Sequence, residues 1–272
     1  MPTILDEIVL RKKREVAEAL AQRSLRDVQH AAEQADAPRS FLTALTAHPS
    51  ADTTSVIAEI KRKSPSAGII RDDFDPLTIA RQYHAAGARA ISCLTDEVDF
   101  GGDLAFIAQI RAHVDLPVLR KDFIVDPYQI WEARAAGADA ILLIAECLDT
   151  ETMSTCRTLA ENLGMTTLVE VHSADNLRRV LEAMSFSHDG HALLGINNRD
   201  LTRMETNLAQ TAELLEMTGT SELDRSLVVS ESGIKTPHDL ATLRAIGVGI
   251  VLVGEHLMAQ PDPGEALQTL LA

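Results

Sequence analysis

From Ser55 onward the chain repeats one pattern. A short aliphatic, β-branched run, too short for a helix, gives way to a longer stretch with helical periodicity. The runs fall at 56–61, 90–94, 117–121, 140–145, 167–171, 193–197, 227–230 and 250–253. Most are apolar at consecutive positions, as in strands covered on both faces, and strands alternating with helices imply a parallel sheet. An internal repeat keeps the same phase. Ala85-Ala86-Gly87-Ala88-Arg89-Ala90-Ile91 nearly recurs at Ala135-Ala136-Gly137-Ala138-Asp139-Ala140-Ile141, and more loosely at Ala245-Ile246-Gly247-Val248-Gly249-Ile250. Each copy is expected to end a helix on a left-handed glycine and turn directly into a strand.

Eight βα units form either an open, doubly wound sheet or a closed barrel. The open sheet usually carries G-x-G-x-x-G at its first βα turn; here a long polar loop follows Lys61 instead. The chain is 272 residues long, which suits one α/β barrel with a modest extension. The fold class expected is therefore α/β, a single (β/α)8 TIM barrel with an N-terminal helical extension over residues 1–50 and the barrel over 51–272. The extension is too short for a core of its own. Ile4, Ile8, Val9, Lys12 and Val16 outline an amphipathic helix broken near Ser24, and a second helical stretch runs over 31–47 with Pro38 dividing it.

With only 3% aromatic residues in a 46% hydrophobic chain, the core must be built from Ala, Val, Ile and Leu. A formal net charge of −15 argues against a nucleic-acid partner. It leaves room for a phosphorylated small molecule at a locally basic site. No apolar run is long enough for a membrane span, and no leader pattern follows Met1. The expected setting is cytoplasmic, as a monomer or weak homo-oligomer. Cys93, Cys147 and Cys156 lack metal-ligand spacing and read as buried, reduced thiols. His172, His188, His191 and His256 read as surface or loop residues, with no metal site, and Trp131 as packing. The run Arg71-Asp72-Asp73-Phe74-Asp75 reads as a solvated loop, and 63–75 is long enough to act as a lid.

Barrel chemistry gathers at the carboxyl ends of the strands. Here those ends carry Glu59-Ile60-Lys61, Lys121-Asp122-Phe123, Glu170-Val171-His172, Asn197-Asn198-Arg199, Ser232-Gly233 and Gly254-Glu255. Side chains two apart share a face, so Glu59 and Lys61 stand with Ile57, Lys121 with Leu119, and Glu170 with Leu168. If the aliphatic members point inward, so do the charges. Alternate strands contribute to one layer of a barrel, which brings Glu59, Lys121, Glu170 and Ser232 to one level. Such charges form either a buried ion-pair network or an acid–base site. Burial lowers a lysine pKa and raises a glutamate one, moving both toward neutrality. The glycines after the seventh and eighth strands stand where many barrels bind phosphate through backbone N–H groups.

Taken together, several segments resemble the indole-3-glycerol phosphate synthase family across nearly the whole chain. They are Ile57-Ala58-Glu59-Ile60-Lys61-Arg62-Lys63-Ser64-Pro65-Ser66, Leu119-Arg120-Lys121-Asp122-Phe123, Leu168-Val169-Glu170-Val171-His172, Gly195-Ile196-Asn197-Asn198-Arg199-Asp200-Leu201 and Ser230-Glu231-Ser232-Gly233-Ile234. The resemblance implies a cofactor-free carboxy-lyase of tryptophan biosynthesis acting on 1-(2-carboxyphenylamino)-1-deoxyribulose 5-phosphate. It implies Glu59, Lys61, Lys121, Glu170, Asn197 and Ser232 as the catalytic set. Within it Lys121 is the general acid of ring closure, Lys61 the partner of the substrate carboxylate and Glu170 the base of dehydration. Lys61 and Glu59 remain alternatives for assisting hydroxyl departure, and Asn197 and Ser232 orient the substrate. Ser64, Arg199, Gly233 and Gly254 are implied as substrate and phosphate contacts, with Pro65 and Phe123 against the aromatic ring. Glu255 follows Gly254 where a small hydroxyl residue often helps hold phosphate, so only the backbone contact is expected there. The rival reading is another phosphosugar barrel, such as phosphoribosylanthranilate isomerase.

Overall fold

The computed structural model describes residues 3–47, 53–199, 206–217 and 223–272. The expected boundary at 50/51 lies outside them, as do Asp200 and Leu201. Eight parallel strands close into a barrel: β1 (Ser55–Ile60), β2 (Ala90–Leu94), β3 (Val118–Lys121), β4 (Ala140–Ile144), β5 (Thr166–Val171), β6 (Ala192–Asn197), β7 (Val228–Glu231) and β8 (Ile250–Val253). Each strand pairs with its neighbours in chain order. β1 closes the ring by pairing with both β8 (Ser55 opposite Ile250) and β2 (Ile57 opposite Ala90). The expected runs match these strands to within a residue at each end.

Alternation sorts the aliphatic residues into two cores. Val56, Ala58, Ile60, Ile91, Val169 and Val251 point outward and pack under the helices. Ile57, Leu119, Leu142, Leu168, Val229 and Leu252 point inward and fill the barrel. Caps start the surrounding helices cleanly. Asp75, Thr236 and Asp262 each accept a backbone N–H, and Pro76, Pro237 and Pro263 follow at the first helical position. The repeated glycines Gly87, Gly137 and Gly247 all have φ between 86° and 94°, the left-handed turn into the next strand.

Among the described residues three helices precede the barrel: α1 (Ile4–Gln22), α2 (Leu25–Gln34) and α3 (Phe41–Thr46). The second begins earlier than its apolar pattern suggests. Ser24 does not simply break the first helix; its hydroxyl accepts from Asp27 N and caps the next one. α3 has a structural task. Phe41 and Leu45 are fully buried among the inward residues of the barrel and close its amino-terminal end. Burying each contributes about 1.5–3 kcal/mol.

α1 is tied to the opposite, carboxyl-terminal end by charge. Lys12 is buried, with Nζ 2.8 Å from both Asp96 and Asp122 and 3.0 Å from Glu15. Arg11 adds contacts to Asp96 and Asp99. Asp122 also accepts from Thr95 Oγ1 and Arg120. α1 thus fastens the loops that follow β2 and β3.

Candidate active site

Above the apolar filling of the barrel the inward positions change character. The next residue on each odd-numbered strand's inner face is charged: Glu59 above Ile57, Lys121 above Leu119, Glu170 above Leu168 and Glu231 above Val229. All of them line a cavity of about 690 Å³ at the carboxyl end of the strands. Every residue expected at the site lines it: Glu59, Lys61, Ser64, Pro65, Lys121, Phe123, Glu170, Asn197, Arg199, Ser232, Gly233 and Gly254.

The charges pair closely. Lys61 Nζ donates to Glu59 Oε1 at 2.6 Å, and Lys121 Nζ to Glu170 Oε2 at 2.8 Å. Lys121 Nζ also stands 3.5 Å from Glu231 Oε2. Asn197 Nδ2 donates to Glu170 Oε1 at 3.0 Å, so both oxygens of that carboxylate are held. Arg199 lies at the mouth, donating to Ser66 Oγ at 2.8 Å and pairing with Glu255 at 2.7 Å.

Glu231, not Ser232, occupies the fourth place in the charged layer. Parity already required this, because Val229 points inward. Ser232 instead lies beyond the strand with φ 67°, a conformation rare for a residue with a side chain. Asn198 holds the turn by donating to Ser230 Oγ and to the Ser232 carbonyl. Two glycines make room for the carboxylates. A Cβ at Gly195 would strike Glu231 Oε1, and a Cβ at Gly254 would strike Glu59 Oε1. Gly254 therefore has a steric reason to be glycine apart from any phosphate.

Burial alone gives the wrong direction for two of these groups. It works to lower the Lys121 pKa, but Glu170, Glu231 and Glu59 outweigh it and hold the ammonium above its ordinary range. It works to raise Glu170, but Lys121 and His172 hold that carboxyl well below the usual value. Lys121 and Glu170 are therefore a charged pair. Glu231 is the group that moves as burial dictates: desolvation, then the charge of Glu170, push it well above the carboxylate range. Of the two neighbouring carboxyls, Glu231 is therefore the one whose surroundings favour a proton, and Glu170 the one whose surroundings favour charge.

Four other expectations change. The His172 side chain is largely covered and not at the surface: Nε2 is 3.1 Å from Glu170 Oε1 and Nδ1 is 3.0 Å from Glu146 Oε2. His256 lines the cavity. Cys93 and Cys156 are buried as expected, but Cys147 is only half-buried. Finally, Arg71 is not simply solvated, since its guanidinium donates to the carbonyls of Gln260 and Pro261 at 2.8 and 2.9 Å and pins the loop to the turn between the helices Glu255–Met258 and Pro263–Leu271. The loop itself holds a short ribbon, Lys63–Ser64 against Gly68–Ile69. Sequence reasoning also missed Phe100 and the α1 residues Leu5 and Ile8 as cavity walls, because nothing local ties them to the strand ends.

The fold resembles solved structures of low sequence identity. One is KGPDC from Streptococcus mutans, with a TM-score of 0.57 at 14% identity, covering 80% of this chain and 95% of that one. Another is a mutant tryptophan synthase alpha-subunit from Pyrococcus furiosus, with a TM-score of 0.58 at 15% identity, covering 80% and 97%. These likenesses concern the barrel alone. Sequence relatives are much nearer. Indole-3-glycerol phosphate synthase of Acidithiobacillus ferrooxidans is 46% identical over 271 residues, covering 99% of both chains. The synthase of Rhodopirellula baltica is 47% identical over 270 residues, again covering 99% of each. That of Rhodospirillum rubrum is 46% identical over the full length of both. The family model for indole-3-glycerol phosphate synthase matches residues 5–270, and the chain belongs to that family.

Proposed function

We propose that this chain converts 1-(2-carboxyphenylamino)-1-deoxyribulose 5-phosphate to indole-3-glycerol phosphate, carbon dioxide and water. The observation that carries the reading is the Lys121 ammonium, held 2.8 Å from Glu170 and 3.5 Å from Glu231 at the floor of a cavity rimmed by Lys61 and Arg199.

The ring carbon bearing the carboxylate attacks the ketone carbon, and Lys121 supplies the proton to the ketone oxygen as the new C–C bond forms. Lys61 balances the substrate carboxylate until the C–C bond to it breaks, its electron pair returning to the ring as carbon dioxide leaves. The new hydroxyl then takes a proton from Lys61 or Glu59 and departs as water, while Glu170 accepts the proton lost from the newly closed ring. Glu231, whose surroundings favour its protonated form, stands 3.5 Å from Lys121 and would return a proton to it between the two steps. Asn197 fixes Glu170, and Ser232 orients substrate hydroxyls. Phe123, with Pro65, gives the aromatic ring an apolar wall. The backbone N–H groups at Gly233 and Gly254, with Ser64 and Arg199, meet the phosphate end. For Arg199 to do so it must exchange its pairing with Glu255.

The chemistry uses residues of this chain alone, with no cofactor. Its partner is the small phosphorylated substrate. Among the described residues no helix is long and apolar enough to cross a membrane. Operation in the cytoplasm as a monomer or weak homo-oligomer completes the reading.

Lys121→Ala tests the assignment. Turnover is expected to fall by at least about a hundredfold, while binding of a substrate analogue, read by quenching of its anthranilate fluorescence, stays within a few-fold of the parent. Activity within tenfold of the parent would remove Lys121 from the role of acid.

A further inference from the structure

We propose that His172 is a positioning residue for the reaction: clamped between Glu146 and Glu170 behind the cavity wall, it fixes the Glu170 carboxylate in the orientation that faces Lys121. The inference rests on the proposed role of Glu170 as the base. His172 is not among the residues lining the cavity, so it acts through Glu170 and not on substrate.

The geometry begins at the end of β5. Glu170 and His172 are two apart and project to the same side. The ring of His172 then has a carboxylate oxygen near each nitrogen: Nδ1 is hydrogen-bonded to Glu146 Oε2 at 3.0 Å, and Nε2 approaches Glu170 Oε1 to 3.1 Å as an ion-pair contact, out of line for a hydrogen bond. Glu146 comes from the 3₁₀ turn after β4 (Ala145–Cys147) and is itself anchored. Its Oε1 accepts the His172 backbone N–H at 3.0 Å and Asn176 Nδ2 at 2.9 Å. The His172 carbonyl accepts from Gln210, which also donates to the Asn197 carbonyl.

A neutral imidazole has one N–H and one lone pair. With a carboxylate at both nitrogens, the neutral ring would turn its lone pair toward a negative oxygen. Only the doubly protonated ring turns a positive N–H toward both carboxylates. Burial opposes that charge, yet the contacts with Glu146 and Glu170 push the His172 pKa up to about 10. The other charged groups nearby leave this balance in place. Lys121 and Glu231 lie beyond Glu170, and Arg179, on the helix after β5, is engaged with backbone carbonyls of Ala145 and Leu148. The thiol of Cys147, beside Glu146 and Glu170, is pushed up by burial and stays neutral.

Glu170 thus has three neighbours: Lys121 donates to Oε2 and Asn197 to Oε1, and the His172 ring stands 3.1 Å behind Oε1 as an ion-pair contact. When Lys121 gives up its proton during ring closure, it no longer supplies a cation. His172 still does. It keeps the carboxylate ionised and aimed until the dehydration step calls on it.

Two measurements test the clamp separately from the reaction. In ¹⁵N NMR of the whole protein at pH 8, the His172 ring is expected to be doubly protonated, and Glu146→Gln is expected to move its titration toward the ordinary value of about 6.5. A wild-type His172 that titrates near that ordinary value overturns the proposal whatever the enzyme turns over. In steady-state assays, His172→Gln is expected to lower kcat about tenfold with little change in KM. Its acid limb is expected to shift to higher pH by roughly one unit, because Glu170 has lost a cation. Glu146→Gln is expected to shift the limb the same way by less, and it carries the comparison if His172→Gln does not fold. A variant that melts earlier yet keeps the wild-type pH profile would make His172 merely structural and overturn the proposal. Absence of any wild-type turnover would instead defeat the proposed function, leaving the NMR result to judge the clamp.

Discussion

At Glu231 the interior holds a carboxyl whose nearest cation is already committed to another carboxylate. Lys121 lies closer to Glu170 than to Glu231, so Glu231 meets burial and a negative neighbour together. Its folded pKa is raised, so the folded state keeps a proton that the unfolded chain releases. Stability therefore falls as pH rises from the ordinary carboxylate range toward the raised folded value. Glu231→Gln, which mimics the neutral form, is expected to remove that slope. It should stabilise the protein at pH 8 by on the order of 1 kcal/mol while lowering kcat, and thermal melts beside assays at matched pH check both. Parity made Glu59, Lys121 and Glu170 legible in sequence. The same rule pointed to Glu231, but ending the seventh run at Ser230 moved attention to Ser232. The pKa directions of Lys121 and Glu170 were not legible, because they depend on which charges meet across the barrel and not on burial alone.

Elements divide the work between the two ends of the barrel. α3 plugs the amino-terminal end with Phe41 and Leu45, and Phe41→Ala is expected to cost about 3–5 kcal/mol in denaturant unfolding. α1 serves the other end. Lys12 joins Asp96 and Asp122, and Asp122 directly follows Lys121. Lys12→Met leaves those acids short of a cation, and breaking such a buried pair costs about 3 kcal/mol. It should also lower kcat/KM, since Phe123 and Lys121 flank the freed Asp122; equilibrium unfolding and initial rates measure the two effects. The strands were legible because buried parallel strands need unbroken aliphatic runs. The roles of the helices before the barrel were not. An amphipathic pattern gives α1 an inner face but does not say that a lysine on it reaches acids some 85 to 110 positions away, and a cap such as Ser24 reads like a break until its hydroxyl is seen to accept Asp27 N.

For the whole molecule these buried charges set a window of stability. Asp122 and Glu170 have depressed folded pKa values, so what they contribute is present above the ordinary carboxylate range and lost as pH falls through those lower values. His172 has a raised one. Its contribution is complete below the ordinary histidine range and is lost as pH rises through about 10. Melting temperature is thus expected to decline on both sides, and His172→Gln should flatten the alkaline decline specifically. In the proposed reaction Lys121, Glu170, Lys61 and Glu231, gathered at the carboxyl ends of the odd-numbered strands above one aliphatic plug, would supply the acid, the base, the carboxylate partner and the returning proton. The most direct test is to mix the purified protein with 1-(2-carboxyphenylamino)-1-deoxyribulose 5-phosphate and follow indole fluorescence together with released carbon dioxide. Equimolar indole-3-glycerol phosphate and carbon dioxide, formed catalytically, is the result predicted; no indole product at high enzyme concentration would contradict it.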